Sequence, residues 1–142
     1  MRVYLPATLP ALAEALTSGE IEVRIAYAVT PALREWYAEG DQEELEYAAM
    51  TAAARASLRL LAGSPGTTAR RVVLAAEVPD GSVVYEGGYE SLSDHDRAAV
   101  RLRDLVPMKK VVSGHVDDTA AVTEILEAVS ALGAADAGDE DA

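Results

Sequence analysis

The sequence predicts an α+β domain in which a small sheet is packed by a long central helix and a C-terminal helix. Three observations predict it. Segments with apolar residues at every second position alternate along the chain with segments repeating every third or fourth. The helical pattern after Asp41 runs unbroken to Ala62. The run from Val72 to Ala76 is wholly apolar and of strand length, as in a strand covered on both faces. A ferredoxin-like arrangement is the favoured topology.

Taken in order, Arg2-Val3-Tyr4-Leu5 is β-prone and closed by Pro6, and Thr8 can cap a helix from Leu9 to Ser18 that Gly19 ends. Val23, Ile25, Tyr27 and Val29 alternate with Glu22, Arg24, Ala26 and Ala28, so a strand with one apolar face is expected there. Thr30 is a good N-cap and Pro31 suits the first helical position, which opens a short helix reaching toward Gly40. Asp41 followed by Glu44 resembles a capping box for the long helix, which Gly63 and Pro65 stop. That helix carries two apolar stripes. One is Leu45, Ala49, Ala52, Ala56 and Leu60, the other Tyr47, Met50, Ala54, Leu58 and Leu61, so cover is expected on two sides.

Arg71 to Val78 is the best candidate for a central strand, ended by Pro79-Asp80-Gly81. Ser82 to Asp96 mixes Gly, Ser and Asp around a brief Val83-Val84-Tyr85 and reads as a surface loop or weak edge strand. Val100 and Leu102 alternate with Arg101 and Arg103, a strand with one wet face. Pro107 is expected to start a short helix that Gly114 ends, and His115-Val116-Asp117 a short strand. Asp118 then caps a last helix through Val122, Ile125, Leu126, Val129 and Leu132. The globular domain is expected to span 1–132. Residues 133–142 contain only Ala, Gly and acids and read as a flexible acidic tail.

Composition excludes several functions. The 142 residues hold no Cys, which removes disulfides and thiolate chemistry, and the net charge of −12 disfavours nucleic acid and anionic membranes. Residues 1–71 carry 9 acids against 7 bases and residues 72–142 carry 15 against 5, so the negative charge is concentrated in the second half. No apolar stretch is long enough for a signal peptide or a membrane span, and a cytoplasmic location is expected. Gly63-Ser64-Pro65-Gly66-Thr67-Thr68 lacks the Lys of a phosphate loop and precedes a strand instead of a helix.

The stretch AYAVTPALREWYAEGDQEELEYAAMTAAARASLRLL, positions 26–61, resembles a family of uncharacterised actinobacterial proteins, a domain of unknown function. The resemblance extends to MRVYLPAT, to Val106-Pro107 and to His115-Val116-Asp117-Asp118. It implies a cytoplasmic protein with no assigned activity. Many members of that family continue into a longer acidic segment with aromatic residues, whereas this sequence ends in GDEDA.

Three groups of residues are candidates for chemistry. Arg34, Trp36, Tyr37, Glu44 and Tyr47 gather the residue types that dominate binding hot spots around one helix-to-helix hinge, and they form the candidate partner surface. The plainer reading is that Trp36 and Tyr47 close the core. His115 and Asp117 lie two apart on an expected strand and so share a face, the alternative site for a small ligand or an enzyme. Two ligands do not make a metal site, and an Asp ahead of a helix is usually a cap. His95 sits among Ser93, Asp94 and Asp96, but neighbours on one loop rarely converge as a triad. The favoured function is therefore a non-catalytic protein-interaction or regulatory module, self-association included, with no cofactor and no metal.

Overall fold

The computed structural model describes residues 1–63, 70–85 and 94–117. Strand β1 (Arg2–Ala7) leads to helix α1 (Leu9–Ser18), strands β2 (Glu20–Ile21) and β3 (Ile25–Tyr27), and helices α2 (Pro31–Trp36) and α3 (Gln42–Ala62). Strand β4 (Val72–Glu77) follows, then β5 (Val83–Tyr85), helix α4 (Asp94–Ala98), β6 (Ala99–Leu102), β7 (Val106–Pro107) and β8 (Val111–Val116). The α+β class holds. The expected C-terminal helix from Asp118 and the acidic residues 133–142 lie outside the described residues.

Local signals set the helix boundaries. Thr8 Oγ1 accepts from the Ala11 amide at 3.3 Å, and Gly19 ends α1 in the left-handed region at φ 89°, where a side chain would be strained. Thr30 Oγ1 accepts from the Leu33 amide at 3.1 Å and Asp41 Oδ1 from the Glu44 amide at 2.9 Å, so all three expected N-caps are formed. Helix α2 is shorter than expected, stopping at Trp36 with Tyr37 as its C-cap.

Six strands form one sheet in the order β5-β6-β3-β1-β4-β8, every pair antiparallel, and β2 pairs with β7 in a separate ribbon. Strands β3 and β4 both flank β1, so α2 and α3 make one crossover over it. A ferredoxin-like order needs two such crossovers with both helices on one face. Here α1 instead joins the antiparallel neighbours β1 and β3 and packs on the face opposite α3. Pro6 has no N–H to give, and the β1–β3 ladder holds only Tyr4 opposite Tyr27.

Side chains of β1 and β4 alternate between two cores. Val3, Leu5, Val72, Leu74 and Ala76 meet Ala15 of α1, Ile21 and Val106 on one face. Tyr4, Tyr27, Val73 and Ala75 meet Leu45, Ala49, Ala52 and Ala53 of α3 on the other. Burial on both sides explains why β4 reads as a continuous apolar run. It also corrects the one-sided strand expected over Val23 to Val29: Ala26 and Ala28 are fully buried while Ile25 is partly exposed. Their small side chains let the α1 layer approach.

Three further expectations are corrected. The helix expected after Pro107 is a single 3-10 turn, Met108–Lys110, and then strand β8, because β-branched Val111 and Val112 fit the free edge of β4 better than a helix. The segment read as loop up to Asp96 ends in helix α4. And α3 is buried along a single stripe, Leu45, Ala49, Ala52, Ala53, Ser57 and Leu61, with Tyr47 and Leu60 exposed. Ser57 belongs to that stripe although it is polar. Its hydroxyl donates to the Ala7 carbonyl at 2.8 Å and accepts from the Val72 amide at 3.0 Å, two residues that face each other across the β1–β4 ladder.

Candidate functional site

The face built by α2, the first half of α3 and α4 holds all five residues of the expected partner surface. Thr30 positions it. Besides capping α2, its buried hydroxyl donates to the carbonyl of Arg97, which ties the start of α2 to α4 across 67 residues of sequence. That tie brings Arg97 beneath Trp36: the guanidinium carbon lies 3.6 Å from the centre of the indole ring. Arg97 is only 4% exposed, whereas Trp36 is 61% exposed. The cation is desolvated from below and the ring presents its other surface outward, where a cation–π contact is stronger than it would be between two wet groups.

Around this stack, Arg34 donates from Nη2 to Gln42 Oε1 at 3.2 Å, and Gln42 donates on to Glu46 at 3.3 Å. The side-chain hydrogen-bond partner of Arg34 is thus the Gln42 amide. Tyr37 is half-buried against the α3 core, Glu44 is exposed, and Tyr47 is 68% exposed. Neither Trp36 nor Tyr47 closes the core.

Tyr47, Thr51 and Arg55 stand one helical turn apart and form a ridge between two open depressions. The larger, about 820 Å³, lies between α3, α2 and α4 and is lined by Tyr37, Glu44, Tyr47, Arg55, Arg59, His95 and Asp96 among others. At its base His95 Nε2 is 2.9 Å from the Tyr27 hydroxyl, with the rings 4.8 Å apart and tilted by 46°. Burial first, then the charges of Arg59 and Arg55, push the His95 imidazolium down from its ordinary range, against the opposing pull of Asp96 and the Ala52 backbone. Burial also pushes the Tyr27 phenol up to about 12. A neutral imidazole and a protonated phenol result, joined through Nε2 and the Tyr27 hydroxyl, while Nδ1 is buried with no hydrogen-bond partner among the described residues. His95 therefore faces Tyr27, and no triad assembles among the described residues; Ser93 lies outside them.

A histidine that resists protonation in the folded state makes stability depend on pH. The unfolded chain takes up a proton near the ordinary histidine value that the folded chain does not, so stability is full above that value and falls as pH drops below about 6.5. Thermal melts of wild type should therefore lose midpoint between pH 7.5 and 5.5 more steeply than melts of His95→Gln, which keeps a polar partner for Tyr27. Parallel slopes for the two proteins would show that His95 does not contribute.

The second expected site is built differently. His115 and Asp117 border the smaller depression, about 520 Å³, between α3 and the edge strand β8, and Arg71, Tyr47 and Arg55 reach the same hollow. Asp117 is already occupied: Oδ2 accepts from the Arg71 amide and Nε, both at 2.8 Å, and Oδ1 from Nη2 at 3.2 Å. Burial pushes its carboxyl up, but the hydrogen bonds from Arg71 outweigh burial and hold it below the usual range. His115 is exposed on the outer strand. The Asp117 carboxylate pins the chain after β8 to the start of β4, and its hydrogen bonds go to Arg71.

Sequence reasoning missed Tyr27, His95, Arg97, Arg55 and Arg59 as parts of this face. They come from three elements, β3, α3 and α4, and nothing local in their neighbourhoods signals the convergence. Among the described residues no group of three or more His, Asp or Glu is placed to hold a metal ion, and no helix is long and apolar enough to cross a membrane. In comparison with known proteins, a family model described as a family of unknown function (DUF6912) matches residues 1–142. No curated protein and no solved structure matches the chain.

Proposed function

We propose that this chain, which belongs to the DUF6912 family of unknown function, is a cytoplasmic, non-catalytic protein-interaction module whose partner seats on the α2–α3–α4 face. The observation that carries the reading is the Trp36 ring, 61% exposed and held against a buried guanidinium. Trp is among the residue types most enriched where partners bind. A ring already fixed from beneath loses little rotamer freedom when a partner covers it, so its burial goes into affinity. Tyr47, 68% exposed on the next helix, and Arg34 extend the same surface with residue types enriched in hot spots. Self-association through this face is one form of the proposal.

The test uses the full chain immobilised as bait in a lysate of its source organism, beside Trp36→Ala and a control, Leu105→Ala, at an exposed leucine away from this face. A specific partner should bind wild type and the control alike and lose affinity for Trp36→Ala by roughly 30-fold, the scale of a hot-spot deletion. Retention of the same partners by Trp36→Ala would overturn the reading. Sedimentation of the bait alone reports the self-associating form.

A further inference from the structure

The larger depression has a polarity that the Trp36 surface does not explain. Its α3 wall runs from Glu44 to Arg59, 15 residues apart and so about 22 Å at the helical rise. With about 820 Å³ spread over that length it is a trench, longer than most small molecules and wide enough for one extended chain of about six or seven residues. Its middle is floored by Ala48 and Ala52, where small side chains let a ligand backbone come close, and Tyr37 and Tyr47 stand toward the Glu44 end.

Charge decides what fits. Arg55 and Arg59 stand one turn apart at the far end, and neither forms a salt bridge among the described residues, in a chain whose net charge is −12. Acids outnumber bases two to one in this protein, yet these two guanidinia are left facing an open trench. Both line the trench together with His95 at its base, where Asp96 is the one lining acid set against their two charges. Glu44, near the opposite end, repels the anion that the arginines attract and so gives an incoming chain a direction.

We propose that the trench along α3 binds an extended peptide segment of a partner protein, with an apolar or aromatic side chain over Ala48 and Ala52 and its carboxylates toward Arg55 and Arg59. This rests on the interaction reading above and gives the partner its chemistry. Arg pairs with carboxylates bidentately, so two adjacent acidic side chains, or one and a terminal carboxylate, suit the far end. Binding is salt-sensitive, because both arginines are exposed.

The experiment is titration of the full-length, isotope-labelled chain with two synthetic octapeptides, GSYLGDDE and its charge-reversed counterpart GSYLGKKR, followed by amide NMR shifts. The acidic peptide should shift the amides of Ala48, Ala52, Arg55 and Arg59, weaken as salt is raised from 50 to 300 mM on the scale of the Debye length, and lose roughly tenfold affinity to the Arg55→Gln/Arg59→Gln double variant. Both arginines are exposed, and an unchanged spectrum elsewhere verifies the fold of that variant. Equal binding of the charge-reversed peptide, or no shift with either, overturns the proposal. Concentration-dependent shifts of the same amides without peptide overturn it in favour of a second copy of this chain. Trp36→Ala separates this inference from its premise: peptide binding with partner capture indifferent to Trp36 sinks only the premise, and Trp36-dependent capture without peptide binding sinks only the inference.

Discussion

Ser57→Ala is expected to lower the unfolding free energy by about 2–4 kcal/mol, read as a shift of the urea midpoint at unchanged slope. The residue is fully buried and its hydroxyl is the hydrogen-bond partner of two backbone groups, the Ala7 carbonyl and the Val72 amide. Removing it leaves one acceptor and one donor without that bond in an apolar site, each at about 1–2 kcal/mol. A structured water is a poor replacement, since it needs several polar partners and the surrounding stripe is alanine and leucine. Ser57→Val should be no better, for it fills the space without restoring either bond. A loss below about 0.5 kcal/mol for alanine would mean that the two backbone groups find other partners and that the hydroxyl is incidental.

Thr30→Val should come next, at about 2–3 kcal/mol, and should also disturb the surface. Valine has nearly the shape of threonine, so the change removes hydrogen bonds and little else. The lost cap on the Leu33 amide frays the start of α2, and the Arg97 carbonyl loses its bond from the hydroxyl. Because that second bond is what ties α4 to α2, the stack of Arg97 on Trp36 should loosen as well. Thr30→Ser keeps both bonds and should retain most of the stability. The measurement is a pair of denaturation curves together with indole fluorescence, which reports the single Trp of the chain. Valine that matched serine in both readouts would contradict the assigned roles.

What the sequence could disclose was local. The caps at Thr8, Thr30 and Asp41 and the left-handed stop at Gly19 each act within four residues, so spacing alone exposes them. Ser57, Thr30 and Tyr27 each also reach a partner, 50, 67 and 68 residues away in turn, and no single sequence encodes which distant residue will arrive. Residue type did mark Trp36, Tyr37 and Tyr47, because large amphipathic rings close together are unusual in a chain with one Trp and no Phe. It did not mark Arg55 and Arg59, which look like ordinary cations near the end of a helix. The misread strand after Pro107 shows propensity yielding to context: Pro-Met-Lys-Lys matches a helix start, but the open side of β4 recruits Val111 to Val116 instead.

The two-sided burial of β1 and β4 carries a folding hazard. Where one side of a ribbon is wet, sliding it by a residue strands greasy groups in water and is rejected at once. Here both sides are greasy, so the solvent offers no such veto, and shape alone would have to police alignment. The polar fastenings at the two ends supply the missing veto: Arg2 with Glu77 at one, and Ser57 bridging Ala7 and Val72 at the other, act like dowels through two boards. Slippage by a single step breaks both at once, which is why so few polar atoms are enough to choose one assembly among several equally oily ones.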